Sequence, residues 1–118
     1  MNSPTQFKTG WLVCQAQVLS SLNIADTART RRRGLIGQSA IETPLLIDCC
    51  KWIHTFGVKC SLDVAYLDAQ FQVIKIQTIK PRRVALPVFG ASHVLEAGAG
   101  TFEKWGLVVG HTLEARLT

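Results

Sequence analysis

Long apolar runs are missing from this sequence. The longest, such as Val64 to Leu67 and Leu107 to Val109, fall far short of the roughly 20 residues that a spanning helix requires, so no membrane span is expected. The opening stretch, Met1-Asn2-Ser3-Pro4-Thr5-Gln6-Phe7-Lys8, has neither the apolar segment nor the small-residue cleavage site of a secretory signal. The expected location is therefore the cytoplasm. Cysteine is sparse and unpaired in pattern: Cys14, Cys49, Cys50 and Cys60 form no Cys-x-x-Cys motif, and a ring-closing disulfide between adjacent residues is strained. They read as reduced thiols buried as small hydrophobes. No Gly-x-Ser-x-Gly turn, P-loop or dinucleotide glycine fingerprint occurs, which removes those routes to an activated serine or a glycine-cradled phosphate. Internal repeats and low-complexity segments are also lacking.

What is present suits a single domain over residues 1–118, with residues 1–10 expected as a flexible N-terminal tail. Hydrophobic residues make up 47% and charged residues only 18%, too apolar a balance for a disordered chain, so a core is expected. The net charge of +5, from 13 basic and 8 acidic residues, favours anionic partners.

Alternation and β-branched residues predict a first strand over Trp11–Leu19, with a short pairing segment continuing through Leu22 and Ile24. Asp26 is placed to cap a short helix through the arginines up to Arg33, which Gly34 ends. Pro44 opens a buried strand at Leu45-Leu46-Ile47. Leu62–Asp68 and Gln72–Ile79, separated by Ala69-Gln70-Phe71, form a hairpin. Its first strand is apolar on both faces from Val64 to Leu67 and is expected at the sheet centre. In its second strand Ile74 and Ile76 are expected on one face, opposite Lys75 and Gln77. Pro81 and Pro87 bracket a loop, His93–Glu96 is a strand, Thr101 caps one helical turn, and His111–Leu117 is the last strand. The fold class is mainly β: a small curled sheet or β-barrel of short, mostly antiparallel strands with one or two short helices. Of Trp11, Trp52 and Trp105, at least two are expected in the core.

Three ordered segments resemble one family. The middle one, Trp52-Ile53-His54-Thr55-Phe56-Gly57-Val58-Lys59-Cys60-Ser61-Leu62-Asp63, is similar to a signature in which a His-Thr or Lys-Asn-Thr motif leads into a Leu-Asp strand. Upstream stand Ala25-Asp26-Thr27 and Arg33-Gly34-Leu35-Ile36-Gly37. Downstream stand Val94-Leu95-Glu96-Ala97-Gly98-Ala99-Gly100 and Gly106-Leu107-Val108-Val109-Gly110-His111. Together they resemble domain of unknown function 192, also known as uncharacterised protein family 0127. Val58 stands where that family usually has methionine, Ser61 where it has proline, and His111 where aspartate is common. The resemblance implies a compact β-rich fold and an accessory role, because family members sometimes stand beside secretion or pilus machinery.

The candidate binding residues are His54, Thr55, Asp63, Glu96, Arg33 and Arg82. His54 and Thr55 sit in a loop before the hairpin, where binding groups often gather. A carboxylate such as Asp63 would fix a histidine's tautomer. Arg29, Arg31, Arg32 and Arg33 form one basic cluster, and Lys80, Arg82 and Arg83 a second. Cys50, His54 and Cys60 are of the types that hold zinc, but no paired motif brings in His93 or His111 as a fourth ligand. No metal, cofactor or catalytic residue is assigned. The leading expectation is a non-catalytic binding or accessory domain with a polar, arginine-flanked site for a protein partner or small anionic ligand. An enzyme on a small anionic substrate, with His54 as base and Arg33 or Arg82 as anion clamp, is one alternative. A sequence-indifferent nucleic-acid binder is the other, although no recognition motif accompanies the arginines.

Overall fold

The computed structural model describes residues 6–118. Seven strands follow in chain order, β1 (Lys8–Cys14), β2 (Gln17–Ala25), β3 (Leu45–Ile47), β4 (Leu62–Leu67), β5 (Val73–Ile79), β6 (His93–Gly98) and β7 (Leu113–Leu117). Two short helices, α1 (Ala28–Arg33) and α2 (Thr101–Trp105), join β2 to β3 and β6 to β7. The strands form one sheet in the order β5-β4-β6-β3-β2-β1-β7, antiparallel except where β2 pairs with β3. The edges touch at one corner, where Gln72 bridges Thr112 and the Val73 amide donates to the His111 carbonyl at 2.8 Å. The sheet curls but is not closed into a barrel, since β5 and β7 do not pair as strands.

Strand alternation sorts the buried side chains into two cores. Leu12, Leu22, Leu46, Ala65, Leu67, Val73, Leu95 and Leu113, drawn from all seven strands, pack together with Phe102 of α2. The opposite face carries Ala25, Leu45, Ile47, Val64, Tyr66 and Val94, packed against Leu35, Ile53 and Val58 from connecting segments. Strand β4, between β5 and β6, is buried along its whole length, as its continuous apolar run predicts.

Several local features differ from sequence expectation. The stretch expected as one strand from Trp11 to Leu19 contains a two-residue turn at Gln15 and Ala16, both with positive φ (51° and 65°). That turn twists the way a hairpin needs, but it is built without the glycine or asparagine that signals it. Lys8, Thr9 and Gly10 of the expected tail belong to β1, whereas residues 1–5 lie outside the described residues. Thr27, not Asp26, caps α1: its hydroxyl accepts from the Thr30 amide, and the Thr30 hydroxyl accepts from the Thr27 amide, both at 3.1 Å. Asp26 instead pairs with Lys8 at 2.7 Å. A bulge opposite Tyr66 and Leu67 sends Ile74 and Ile76 to opposite cores. Thr101 is the first residue of α2, behind a Gly100 cap, and the last strand begins at Leu113. Trp11 and Trp52 are each about half exposed (47%), and Trp105 packs on Phe102 with ring centroids 5.7 Å apart. All four cysteines are free, but only Cys14 is buried and Cys49 is exposed at a positive-φ turn.

Gly10 lets β1 and β7 approach closely. A Cβ there would lie 2.4 Å from the Arg116 carbonyl oxygen, a backbone atom that yields only if the strands part. Gly10→Ala is expected to destabilise the fold by about 1–3 kcal/mol, measurable by urea denaturation. An unchanged midpoint would show that the β1–β7 seam is loose.

Candidate functional site

A cleft of about 620 Å³ opens on the face carrying Tyr66 and Val94. Its lining comes from four places. The last turn of α1 and the residues after it supply Arg31, Arg32, Arg33, Leu35 and Ile36. The end of β3 and the turn beyond bring Ile47, Cys49 and Cys50, and the following extended segment brings Trp52, Ile53, His54 and Val58. Strand β6 supplies Glu96. Aliphatic and aromatic walls thus surround one carboxyl, with Arg31, Arg32 and Arg33 elsewhere on the lining.

Glu96 is 3% exposed. Its position follows from alternation: Val94 and Glu96 are on the cleft side of the sheet, where Glu96 reaches the lining, and Leu95 and Ala97 face the inner core. Burial pushes its carboxyl up to about 8, with no hydrogen bond or neighbouring positive charge on the described residues offsetting the shift. The group is therefore a neutral acid near pH 7, able to donate one hydrogen bond and accept another. Burial also raises the nearby Cys50 thiol and the Tyr66 phenol, the latter shift opposed by a hydrogen bond from Gln77 at 2.8 Å.

The extended segment along the cleft is held by a ribbon of backbone bonds. The Thr55 amide donates to the Arg83 carbonyl at 2.8 Å, the Ala85 amide to Ile53 at 2.9 Å, and His54 bridges Val84. Alternation on this ribbon puts Trp52, His54 and Phe56 in a row, with centroids 6.3 and 5.7 Å apart. Trp52 and Phe56 are about half exposed, and Trp52 and His54 line the cleft.

The structure brings His54, Glu96 and Arg33 into one cleft and places Thr55, Asp63 and Arg82 elsewhere. Thr55 is fully buried; its hydroxyl donates to the Lys80 carbonyl at 2.7 Å and accepts from the Arg83 amide at 2.8 Å, tying two loops together. Asp63 faces the other core, one residue out of phase with the cleft-facing side chains of β4. It accepts from the Thr78 hydroxyl at 3.0 Å and from the Gly100 and Phe102 amides at 2.9 and 3.1 Å, so it caps α2 and pairs with neither His54 nor Glu96. Arg82 is exposed on the loop after β5, with φ 63°. The two basic clusters line different cavities, since Lys80 and Arg83 join Lys75 in a groove of about 430 Å³. Among the described residues, no three His, Cys, Asp or Glu side chains converge as metal ligands.

Sequence reasoning passed over Arg31, Arg32 and Trp52. The arginines stood in a recognised cluster from which only Arg33 was chosen, and Trp52 was weighed as core. The signal that could have marked Trp52 is the i, i+2, i+4 spacing of Trp52, His54 and Phe56, which an extended segment places on one face.

The chain matches the family described as Uncharacterized ACR, domain of unknown function 192, over residues 12–115, and belongs to it. Curated relatives carry the name UPF0127 protein. One from Pyrococcus horikoshii is 37% identical over 52 residues, covering 44% of this chain and 45% of the relative. Another, from Thermococcus sibiricus, is 26% identical over 99 residues, covering 79% and 64%. The chain thus spans about half to two thirds of the length of these relatives. Among solved structures, a Sinorhizobium meliloti protein named for a proposed role in transcription regulation superposes with a TM-score of 0.77 at 19% identity, covering 96% of this chain and 98% of its own. A Novosphingobium aromaticivorans protein of unknown function gives 0.71 at 17% identity, covering 91% and 83%. At these identities the likeness is one of fold.

Two outcomes follow from the carboxyls. A Glu96 pKa raised from 4.5 to about 8 means that the folded chain holds a proton that the unfolded chain has released, so stability falls as pH rises through that window and levels above it. The slope is on the order of 1 kcal/mol per pH unit. Glu96→Gln should remove that part of the slope in denaturation series from pH 5 to 8; identical slopes would mean that Glu96 is ionised in the fold. Asp63→Asn, which turns an amide toward backbone donors, should cost about 1–3 kcal/mol and leave the amide resonances of the cleft unmoved in a two-dimensional NMR spectrum. Shifted Arg31–Arg33 signals would contradict a purely capping role.

Proposed function

We propose that the protein is a non-catalytic binding domain whose cleft takes a small anionic ligand, with an apolar body against Leu35, Ile36, Ile47 and Ile53 and its charge toward Arg31, Arg32 and Arg33. The observation that carries this reading is Glu96. Glu96 is buried, and no hydrogen bond or opposite charge among the described residues offsets the cost to its carboxyl; such costs tend to persist where a ligand supplies the missing partner. The cleft's volume falls in the range of small-molecule sites. All three segments of family resemblance contribute to it, through Arg33-Gly34-Leu35, Trp52-Ile53-His54 and Glu96. The free cysteines fit a reducing compartment such as the cytoplasm, and an accessory role beside other machinery fits a domain that holds a ligand without transforming it.

Glu96→Leu separates binding from folding. Filling the site with an apolar side chain of similar reach should raise stability by about 1–3 kcal/mol and abolish ligand retention. Native mass spectrometry of protein purified at low salt from the cells that produce it should show added mass on the wild type and none on Glu96→Leu. An equal added mass on both, or a Glu96→Leu variant less stable than the wild type, would contradict the assignment.

A further inference from the structure

We propose that the ligand of this cleft is a nucleoside monophosphate moiety, its base directed at Glu96 beside Trp52 and His54 and its phosphate held by Arg31, Arg32 and Arg33. The inference rests on the reading of the cleft as an anion-accepting site and names the chemistry that completes it.

Three features must be met together. The arginines call for a compact anion, and phosphate suits guanidinium geometry. The walls are aromatic or aliphatic, and Trp52 and His54 are exposed aromatic side chains on the lining; base-on-aromatic stacking uses such rings. Glu96 requires a partner that both accepts and donates at adjacent positions, because a neutral carboxyl presents an O–H beside a C=O. The hydrogen-bonding edge of a nucleobase has that pairing of groups, and proteins read extruded bases by this combination of edge contacts and stacking. An alkyl phosphate or fatty carboxylate satisfies the arginines and the apolar walls but leaves the Glu96 carboxyl unpaired against hydrocarbon. A simple sugar phosphate satisfies the arginines but brings no planar ring to Trp52 and His54. The protonated state of Glu96 near pH 7 agrees with the donor role.

The same chemistry is offered by a free nucleotide and by the terminal residue of a single strand. The test is an NMR titration at low salt that follows the Trp52 indole N–H and the Arg31, Arg32 and Arg33 amides. The probes are the four common ribonucleoside 5′-monophosphates, ribose 5-phosphate, decyl phosphate and a short 5′-phosphorylated oligonucleotide. At least one mononucleotide should shift these signals and bind roughly tenfold or more tightly than ribose 5-phosphate. Glu96→Leu should abolish this binding while its spectrum remains dispersed, and Trp52→Ala should weaken it about tenfold. Tighter binding of the oligonucleotide, with the same Glu96 dependence, would assign the moiety to a strand end, and tighter binding of the mononucleotide to a free metabolite. Decyl phosphate binding at these residues without any nucleotide response would overturn the inference and leave the anion-binding cleft standing. No response to any probe would overturn both. Nucleotide binding undiminished in Glu96→Leu would overturn the inference alone.

Discussion

Strand alternation in the middle of the sheet governs both the stability of this protein and the character of its cleft. Strands β4 and β6 lie side by side and are buried on both faces, so each residue on them must enter one of two cores. Two acidic residues enter. Asp63 goes to the side of α2 and finds three donors, whereas Glu96, of opposite phase, goes to the cleft and finds none that offsets its burial. A one-residue slip of β6 would exchange Glu96 with Leu95 or Ala97 and fill the cleft floor with hydrocarbon. The register of six residue pairs between β4 and β6 therefore fixes the chemistry of the site.

The rest of the molecule supports that arrangement. The inner core is fed by all seven strands and closed by Phe102. The Asp63 cap ties α2 to β4 across that core. On the other face, the capping box at Thr27 and Thr30 positions α1 so that its last turn presents arginines to the cleft. Buried Thr55 joins the aromatic ribbon to the loop after β5. The stabilising Asp63 and the destabilising Glu96 show how like residues on adjacent strands acquire opposite roles from their partners alone.

Much of the fold was legible in the sequence because its signals are local. The Val64–Leu67 run marked a central strand, the Ala69-Gln70-Phe71 spacing a hairpin, Pro44 the start of β3, and Gly34 the end of α1. What escaped is set by non-local geometry. The turn at Gln15 and Ala16 uses residues that rarely accept positive φ, so nothing in composition marked it, and the bulge near Ile74 broke an alternation that looked regular. For the candidate site, the sequence pointed to residue types but not to faces: His54, Arg33 and Glu96 meet in the cleft, while Thr55 and Asp63 were drawn from the same motif and spend their polar atoms on backbone. Register separates the two groups, and register depends on pairing partners distant in sequence.

Direct titration of the Glu96 carboxyl by carbon-detected NMR, with the side chain labelled, tests the account at its centre. A midpoint near 8 is the predicted result. A midpoint near the ordinary value of 4.5 would mean that Glu96 is solvated or paired in solution, and the cleft would lose the neutral acid on which the proposed binding rests.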